Sequence, residues 1–478
     1  MDQSLSASPA PHRRPHLVSR YVKSTASGFV DSSQPRFPAT TPLNLLAIVV
    51  AISTAGVFYG GVRAFYFGSE FLAPIAYITD ESISASLVAP VIGLPVEALL
   101  LGNHFFFDFF ISYYWGGLPN PWLDNQLVFD PNHAPLAMLL GRAWGALEYG
   151  LARDLNVVLM AVSTVAVGLI SLRRQRWALV VVGSCILLVS GPSIGALDRG
   201  NYQGYVPILM FAFAMLALRG RWGWAAVFVV TAASLKMYPI VLVLVFIAEK
   251  KWKPLAGVIV GGAIANLLLL FAFQGSPWRS GIEFFRNASL ILGQEELGMM
   301  VYNTSFTGGL LHWSQLLGLE TLLSLGWTYP WIVALVGIFL LTPLIWLRSR
   351  LPLAIRIIAA LMLTTTMTTH SFPYTLNWSI AAAGVMFALS AAQVTPHAPS
   401  RHTPLYVWTT VVAVGLALSF VPVFIPGTME MGFPAGASSL LSPVSVLVFS
   451  LGAYISAFRT SSNNAAVDHV KDSSVVRD

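Results

Sequence analysis

Residues 222–248 read WGWAAVFVVTAASLKMYPIVLVLVFIA, with Arg219 and Arg221 before them and Lys250, Lys251 and Lys253 after. An α-helix rises about 1.5 Å per residue, so about 20 residues cross the roughly 30 Å of hydrocarbon in a bilayer. The stretch is too long for one upright crossing and too short for two full ones. Lys236-Met237-Tyr238-Pro239 interrupts it. Proline breaks helices, and a lysine at the bilayer centre costs about 2.5 to 3.5 kcal/mol on insertion scales. Cytoplasmic loops carry an excess of Lys and Arg. Basic residues at both ends therefore put both ends on the cytoplasmic side, and the segment enters and returns as a hairpin broken at Lys236.

The rest of the chain fits the same solvent. It has 478 residues, 56% hydrophobic and only 10% charged, with a mean hydropathy of +0.70, whereas an ordinary soluble domain is roughly a quarter charged. Soluble enzymes, single-pass anchors and secreted disulfide scaffolds are excluded; the one cysteine, Cys185, allows no intrachain disulfide. Continuous apolar runs rather than alternation argue against a β-barrel. Besides the hairpin, spans fit at 43–63, 155–172, 177–195, 203–218, 255–274, 326–346, 351–370, 374–393, 405–425 and 437–457. The expectation is an all-α polytopic membrane protein of about 12 transmembrane helices in the plasma membrane, with both termini cytoplasmic. Residues 1–41 and 458–478 read as disordered cytoplasmic tails around an embedded region, 42–457. Within that region, 64–154 reads as a large first extracytoplasmic loop with partly embedded helices near 84–102 and 134–147. Most of the 27 Lys and Arg then lie inside and most of the 21 Asp and Glu outside, so positive-inside bias explains the net charge of +6 and no nucleic-acid partner is implied.

Polar residues cluster on the outer side at 104–135, 198–205, 236–239 with 279–305, and 370–377. Ionisable groups near membrane depth are costly unless they serve a cavity, which makes these clusters functional candidates. The first contains Asp108 among aromatics, then Tyr113, Tyr114 and Trp115, Asn120-Pro121-Trp122, and Phe129-Asp130-Pro131-Asn132-His133-Ala134-Pro135. A carboxylate placed so can take a proton from a sugar hydroxyl, and Tyr and Trp offer flat faces to a pyranose ring. An interfacial aromatic belt would read the same way.

Asp108-Phe109-Phe110 with Tyr113-Tyr114, then Asn120-Pro121-Trp122 and Phe129-Asp130-Pro131 with Pro135, resembles the first-loop pattern of the family 87 glycosyltransferases of the GT-C superfamily. Trp122 stands where that pattern has Tyr, and Asp130-Pro131-Asn132-His133 replaces its Tyr-Pro-Pro core. Further matches follow in order: Gly200-Asn201-Tyr202-Gln203, Leu235-Lys236-Met237-Tyr238-Pro239, Asn303-Thr304-Ser305 and His370-Ser371-Phe372-Pro373-Tyr374.

The resemblance implies a GT-C fold and an integral membrane glycosyltransferase. Its partners are a polyprenyl-phosphate-linked sugar donor, typically of mannose, a glycolipid or envelope glycan acceptor, and the lipid bilayer. Transfer takes place on the extracytoplasmic face, and no cofactor is needed. Asp108 is then the base of an inverting displacement. Lys236, Arg199, His370 and Arg286, with Arg279 nearby, are the cations or donors for the phosphate; Tyr113, Tyr114, Trp122, Asn201, Gln203, Asn303 and Tyr374 meet sugar or acceptor. Each has a plainer alternative. Arg199 beside Asp198 fits a local ion pair equally, His370 fits a helix cap, and the Asn, Gln and Tyr side chains fit the satisfaction of broken backbone. Asp80-Glu81, an acidic pair in the first loop, is the rival to Asp108 for the role of base, but its Thr and Ser surroundings read as a turn. No metal site is expected, because His104, Asp108, Asp130 and His133 lack a ligand spacing. A transporter or flippase of lipid-linked sugar is the alternative from another class; it would carry polar residues along the inner halves of its spans.

Overall fold

The computed structural model describes residues 107–125, 131–190, 193, 196–197, 199–292, 328–348, 353–366 and 373–391. The first span, both tails, the last two spans, Asp80-Glu81, Asp130, Asn303 and His370 lie outside the described residues. Those described form helices and turns, with no strand among them.

Two short helices come first, α1 (Phe107–Gly117) and α2 (Pro135–Gly145). They pack backbone to backbone. A methyl group at Gly116 would overlap the backbone of Gly141, and one at Gly141 would overlap the carbonyl of Ser112. Helix pairs without a water-driven force between them gain from such close approach of small residues. The same device recurs where Gly168 meets Ser184, while Gly384 makes room for the side chains of Val167 and Phe211.

Helix α3 (Tyr149–Leu172) starts at Glu148, whose carboxylate accepts from the N–H groups of Gly150 and Leu151 at 3.0 and 3.1 Å. It is one of two described helices long and apolar enough to cross a bilayer; the other is α8 (Trp252–Leu270), which contains a π turn. Helix α3 is packed inside out. Asn156, Ser163 and Thr164 are buried, while Leu151, Leu155, Val158, Leu159 and Val162 face outward. An outer surface built of contiguous large apolar side chains is what a lipid solvent selects and water rejects.

A sharp turn at Arg173–Arg176 leads to α4 (Trp177–Val189). After the turn at Gly200 a 3₁₀ segment (Tyr202–Tyr205) enters α5 (Val206–Leu218), which is apolar on every side and central in the core. Where the sequence pattern extends a single helix from 203, the structure has this 3₁₀ entry, because Asn201 caps it through Gln203 N–H at 3.0 Å. Helix α6 (Trp222–Leu235) ends as the chain turns extended at Lys236, a second 3₁₀ turn follows (Tyr238–Leu242), and α7 (Val243–Ala248) returns. Trp222 meets Phe246 at 5.6 Å and Lys251 lies 5.5 Å over the Trp222 ring, so the two ends of the stretch are neighbours and the fold reverses at Lys236. The basic turns gather at the same end, where Arg219 feels Arg173, Arg174 and Arg221. Arg356 closes that end with an ion pair to Glu249 at 2.6 Å.

Helices α9 (Pro277–Leu292), α10 (Thr328–Arg348), α11 (Leu353–Thr366) and α12 (Ser379–Ala391) complete the described elements. A 3₁₀ turn, Pro373–Trp378, precedes α12, and α11 and α12 pack with α5 in the main core. Near the site end, Asn120 ties the α1–α2 connection to the turn before α9 and to α9 itself, donating to Gln274 O at 2.6 Å and Ser280 Oγ at 2.7 Å.

The glycine contact has a direct test. Gly116→Ala or Gly141→Ala overpacks the α1–α2 crossing at a cost of about 1 to 3 kcal/mol, read as a lower melting temperature in detergent; Gly117→Ala, where a methyl meets nothing, leaves it unchanged. The Glu148 cap has a pH signature. The two N–H groups hold its carboxyl below the ordinary range. Its stabilisation is therefore present above the unfolded value near ~4.3 and is lost as pH falls through the folded value. Glu148→Ala lowers the melting temperature at neutral pH, and its difference from the wild type closes on acidification.

Candidate active site

Asp108 sits in the first turn of α1, at the end of the fold away from the basic turns. Its side chain is 15% exposed, so its charge needs partners. Arg199 Nη2 donates to Oδ1 at 2.8 Å, and Asn201 Nδ2 donates to Oδ2 at 2.6 Å. The two donors flank Gly200, whose φ of 61° is the left-handed conformation that glycine adopts without strain. That turn lets residues on both sides of it reach one carboxylate. Asn156 supports it from α3, donating to Gly200 O at 3.0 Å while its Oδ1 accepts from Tyr205 OH at 2.6 Å. A carboxylate offers about four lone-pair positions; Arg199 and Asn201 take one on each oxygen and fix its orientation.

Lys236, at the break of the hairpin, lies within the field of the Asp108 carboxylate. Its Nζ is 3.3 Å from His133 Nε2. An ammonium only donates, so Nε2 accepts and Nδ1 carries the ring proton. Burial first, and then the neighbouring Lys236 charge, hold the imidazole well below its ordinary pKa, which keeps His133 neutral. Its ring stands edge-on to Trp115 at 5.4 Å and to Tyr202 at 6.4 Å. Five polar side chains from four separated stretches thus meet at one end of the fold.

Of the residues the sequence singles out, Asp108, Arg199, Asn201 and Lys236 are brought together. Arg199 is bonded to Asp108, 91 residues away; Asp198 lies outside the described residues. Gln203 is buried nearby on the 3₁₀ turn, its Oε1 without a hydrogen-bond partner. Other candidates are spent on structure. Tyr113 OH donates to Leu147 O at 2.8 Å, its ring packed on Phe109 and Tyr149. Tyr114 and Trp122 join a second apolar cluster, Trp122 buried against Phe273 and Phe284. Arg286 pairs with Glu283 at 3.4 Å and is exposed on the outer face of α9. Arg279 is exposed on the same helix. Tyr374 lies in the 3₁₀ turn before α12. His133, which the sequence places in the first polar cluster and weighs only as a metal ligand, joins this group through Lys236; the sequence assigns it no part in the site. Among the described residues no three His, Cys, Asp or Glu side chains group as metal ligands do.

Residues 133–369 match the model of glycosyltransferase family 87, a span that includes His133, Arg199, Asn201 and Lys236 and begins after Asp108. No match was found among curated proteins. The chain is a glycosyltransferase, a transferase enzyme that works among apolar helices on a sugar donor and an acceptor.

The Asp108–Arg199 pair sets a stability test. Arg199→Met leaves a buried carboxylate without its paired cation, a loss of about 3 to 5 kcal/mol. Adding Asp108→Asn removes the stranded charge and recovers most of it. Thermal melts of the single and double variants in detergent read both.

Proposed function

We propose that this protein transfers a sugar, mannose first among candidates, from a polyprenyl-phosphate donor to a glycolipid or envelope glycan acceptor on the outer face of the plasma membrane. The observation that carries the reading is an oriented carboxylate, Asp108, with the Lys236 charge within its field, at the end of the fold opposite the basic turns. A phosphate-linked donor needs a cation at the leaving group and a base at the acceptor, and this cluster holds one of each. A lipid-linked donor also suits an enzyme whose outer surface is apolar.

The reaction is one inverting displacement. Asp108 takes the proton from the acceptor hydroxyl as that oxygen attacks the anomeric carbon; the bond from that carbon to the phosphate oxygen breaks, and the polyprenyl phosphate leaves with the electron pair. Lys236 meets the charge that builds on the leaving oxygen. Arg199 and Asn201 orient Asp108, with Arg199 also adding positive charge on the donor side. Gln203 Oε1 accepts from a sugar hydroxyl, and His370, Asn303 and Tyr374 complete the donor and acceptor contacts. Arg286 on α9 is left to the approach of the donor headgroup. The gathering of the basic turns at the opposite end supports an extracytoplasmic Asp108 end, because cytoplasmic loops carry the excess of Lys and Arg.

Asp108→Asn keeps the hydrogen-bonding shape but accepts no proton. It lowers transfer from a radiolabelled polyprenyl-phosphate mannose by about 100-fold or more while donor binding persists. Lys236→Ala weakens donor binding in the same preparation. Full activity of Asp108→Asn would remove Asp108 from the chemistry. A wild-type protein that moves no sugar from any polyprenyl-phosphate donor would overturn the donor class.

A further inference from the structure

We propose that His133 is a positioning residue for the donor phosphate, its Nε2 fixing the Lys236 ammonium so that the leaving group meets an aimed cation. This rests on the reading of Lys236 as the phosphate ligand. Lysine is a compact point charge on a flexible four-carbon stem, and unheld it samples many rotamers. At Lys236 one of three N–H donors goes to His133 at 3.3 Å, which leaves an oriented head within the field of the Asp108 carboxylate.

Packing does not account for a histidine at this position. The ring is wedged edge-on between Trp115 and Tyr202, contacts a phenyl ring would make as well. Histidine adds to them a buried Nδ1 with no hydrogen-bond partner, a cost that an apolar ring avoids. What histidine contributes over a phenyl ring is the acceptor that faces Lys236. A neutral acceptor suits the task, because a second carboxylate, in addition to Asp108, would further offset the charge the phosphate is to meet. The loop that carries it is held too: Asn287 Nδ2 on α9 donates to Pro131 O at 3.3 Å, and the adjoining Ala134 and Pro135 are buried. Thus α9 steadies the loop, the loop sets the imidazole, and the imidazole sets the ammonium.

A double-mutant cycle on the purified full chain tests this, with kcat and KM measured against polyprenyl-phosphate mannose. His133→Phe keeps the ring contacts and removes the acceptor; it raises the donor KM about tenfold with a smaller change in kcat. His133→Gln, which restores an amide oxygen, recovers most of that loss. In a Lys236→Ala background His133→Phe adds less than about twofold, because its effect passes through Lys236. If His133→Phe fails to fold, His133→Leu takes its place in the cycle. Effects that multiply in the double variant, or equal KM values for Phe and Gln, overturn the proposal. Should Lys236→Ala itself leave the donor KM unchanged, the phosphate-ligand reading fails instead. A weakened Lys236→Ala beside an unaltered His133→Phe sinks only the role of His133.

Discussion

A charge taken out of water must find its counter-charge inside the protein, and in this fold that requirement centres on Asp108 and Arg199. The pair is mostly buried on both sides and its members come from distant parts of the chain. Much of the surrounding structure is arranged to bring them together. The glycine crossing of α1 on α2 sets where the first turn of α1 points. The left-handed Gly200 turns the chain so that Arg199 and Asn201 converge on one carboxylate. Asn156, fully buried in a helix that could cross a bilayer, holds the Gly200 carbonyl. None of these contacts is strong alone, yet each fixes a group whose misplacement would strand a charge.

The same constraint explains why the apolar exterior and the polar site coexist. Outward-facing leucines and valines leave the interior of α3 free for Asn156, Ser163 and Thr164. Within such surroundings electrostatic interactions are less screened than in water, so on the proposed reading Lys236 would act more strongly on charge forming at a leaving phosphate. A hairpin that reverses at Lys236 delivers that charge to the end of the fold where the carboxylate waits, while its flanking basic residues remain at the other end.

The broken hairpin was legible in the sequence because proline, a costly lysine and two basic flanks all point the same way. Lys236 and Asp108 were legible for a related reason, since ionisable groups among apolar runs are rare enough to be conspicuous. Partnership was not. Nothing local links Arg199 to a carboxylate 91 residues back when Asp198 is its neighbour in the chain. Tyr113 and Trp122 look like sugar platforms in one dimension, but the fold spends the first on a backbone carbonyl and the second on a core with Phe273 and Phe284. Arg286 lies in a polar stretch near the site in sequence, yet helix periodicity turns it to the outer face of α9. His133 was conspicuous as a histidine in the first polar cluster but had no spacing that gave it a role; only the approach of Lys236 from 103 residues away does so.

The central claim is that the Asp108, Arg199 and Lys236 cluster is where a lipid-linked sugar phosphate is taken apart. A structure of the protein with a bound, non-transferable polyprenyl-phosphate sugar addresses it most directly. The account predicts the phosphate within hydrogen-bonding distance of Lys236 Nζ, with the anomeric carbon open to attack from the Asp108 side. A donor seated elsewhere, with its phosphate held by other cations and Asp108 facing no part of the sugar, would contradict it.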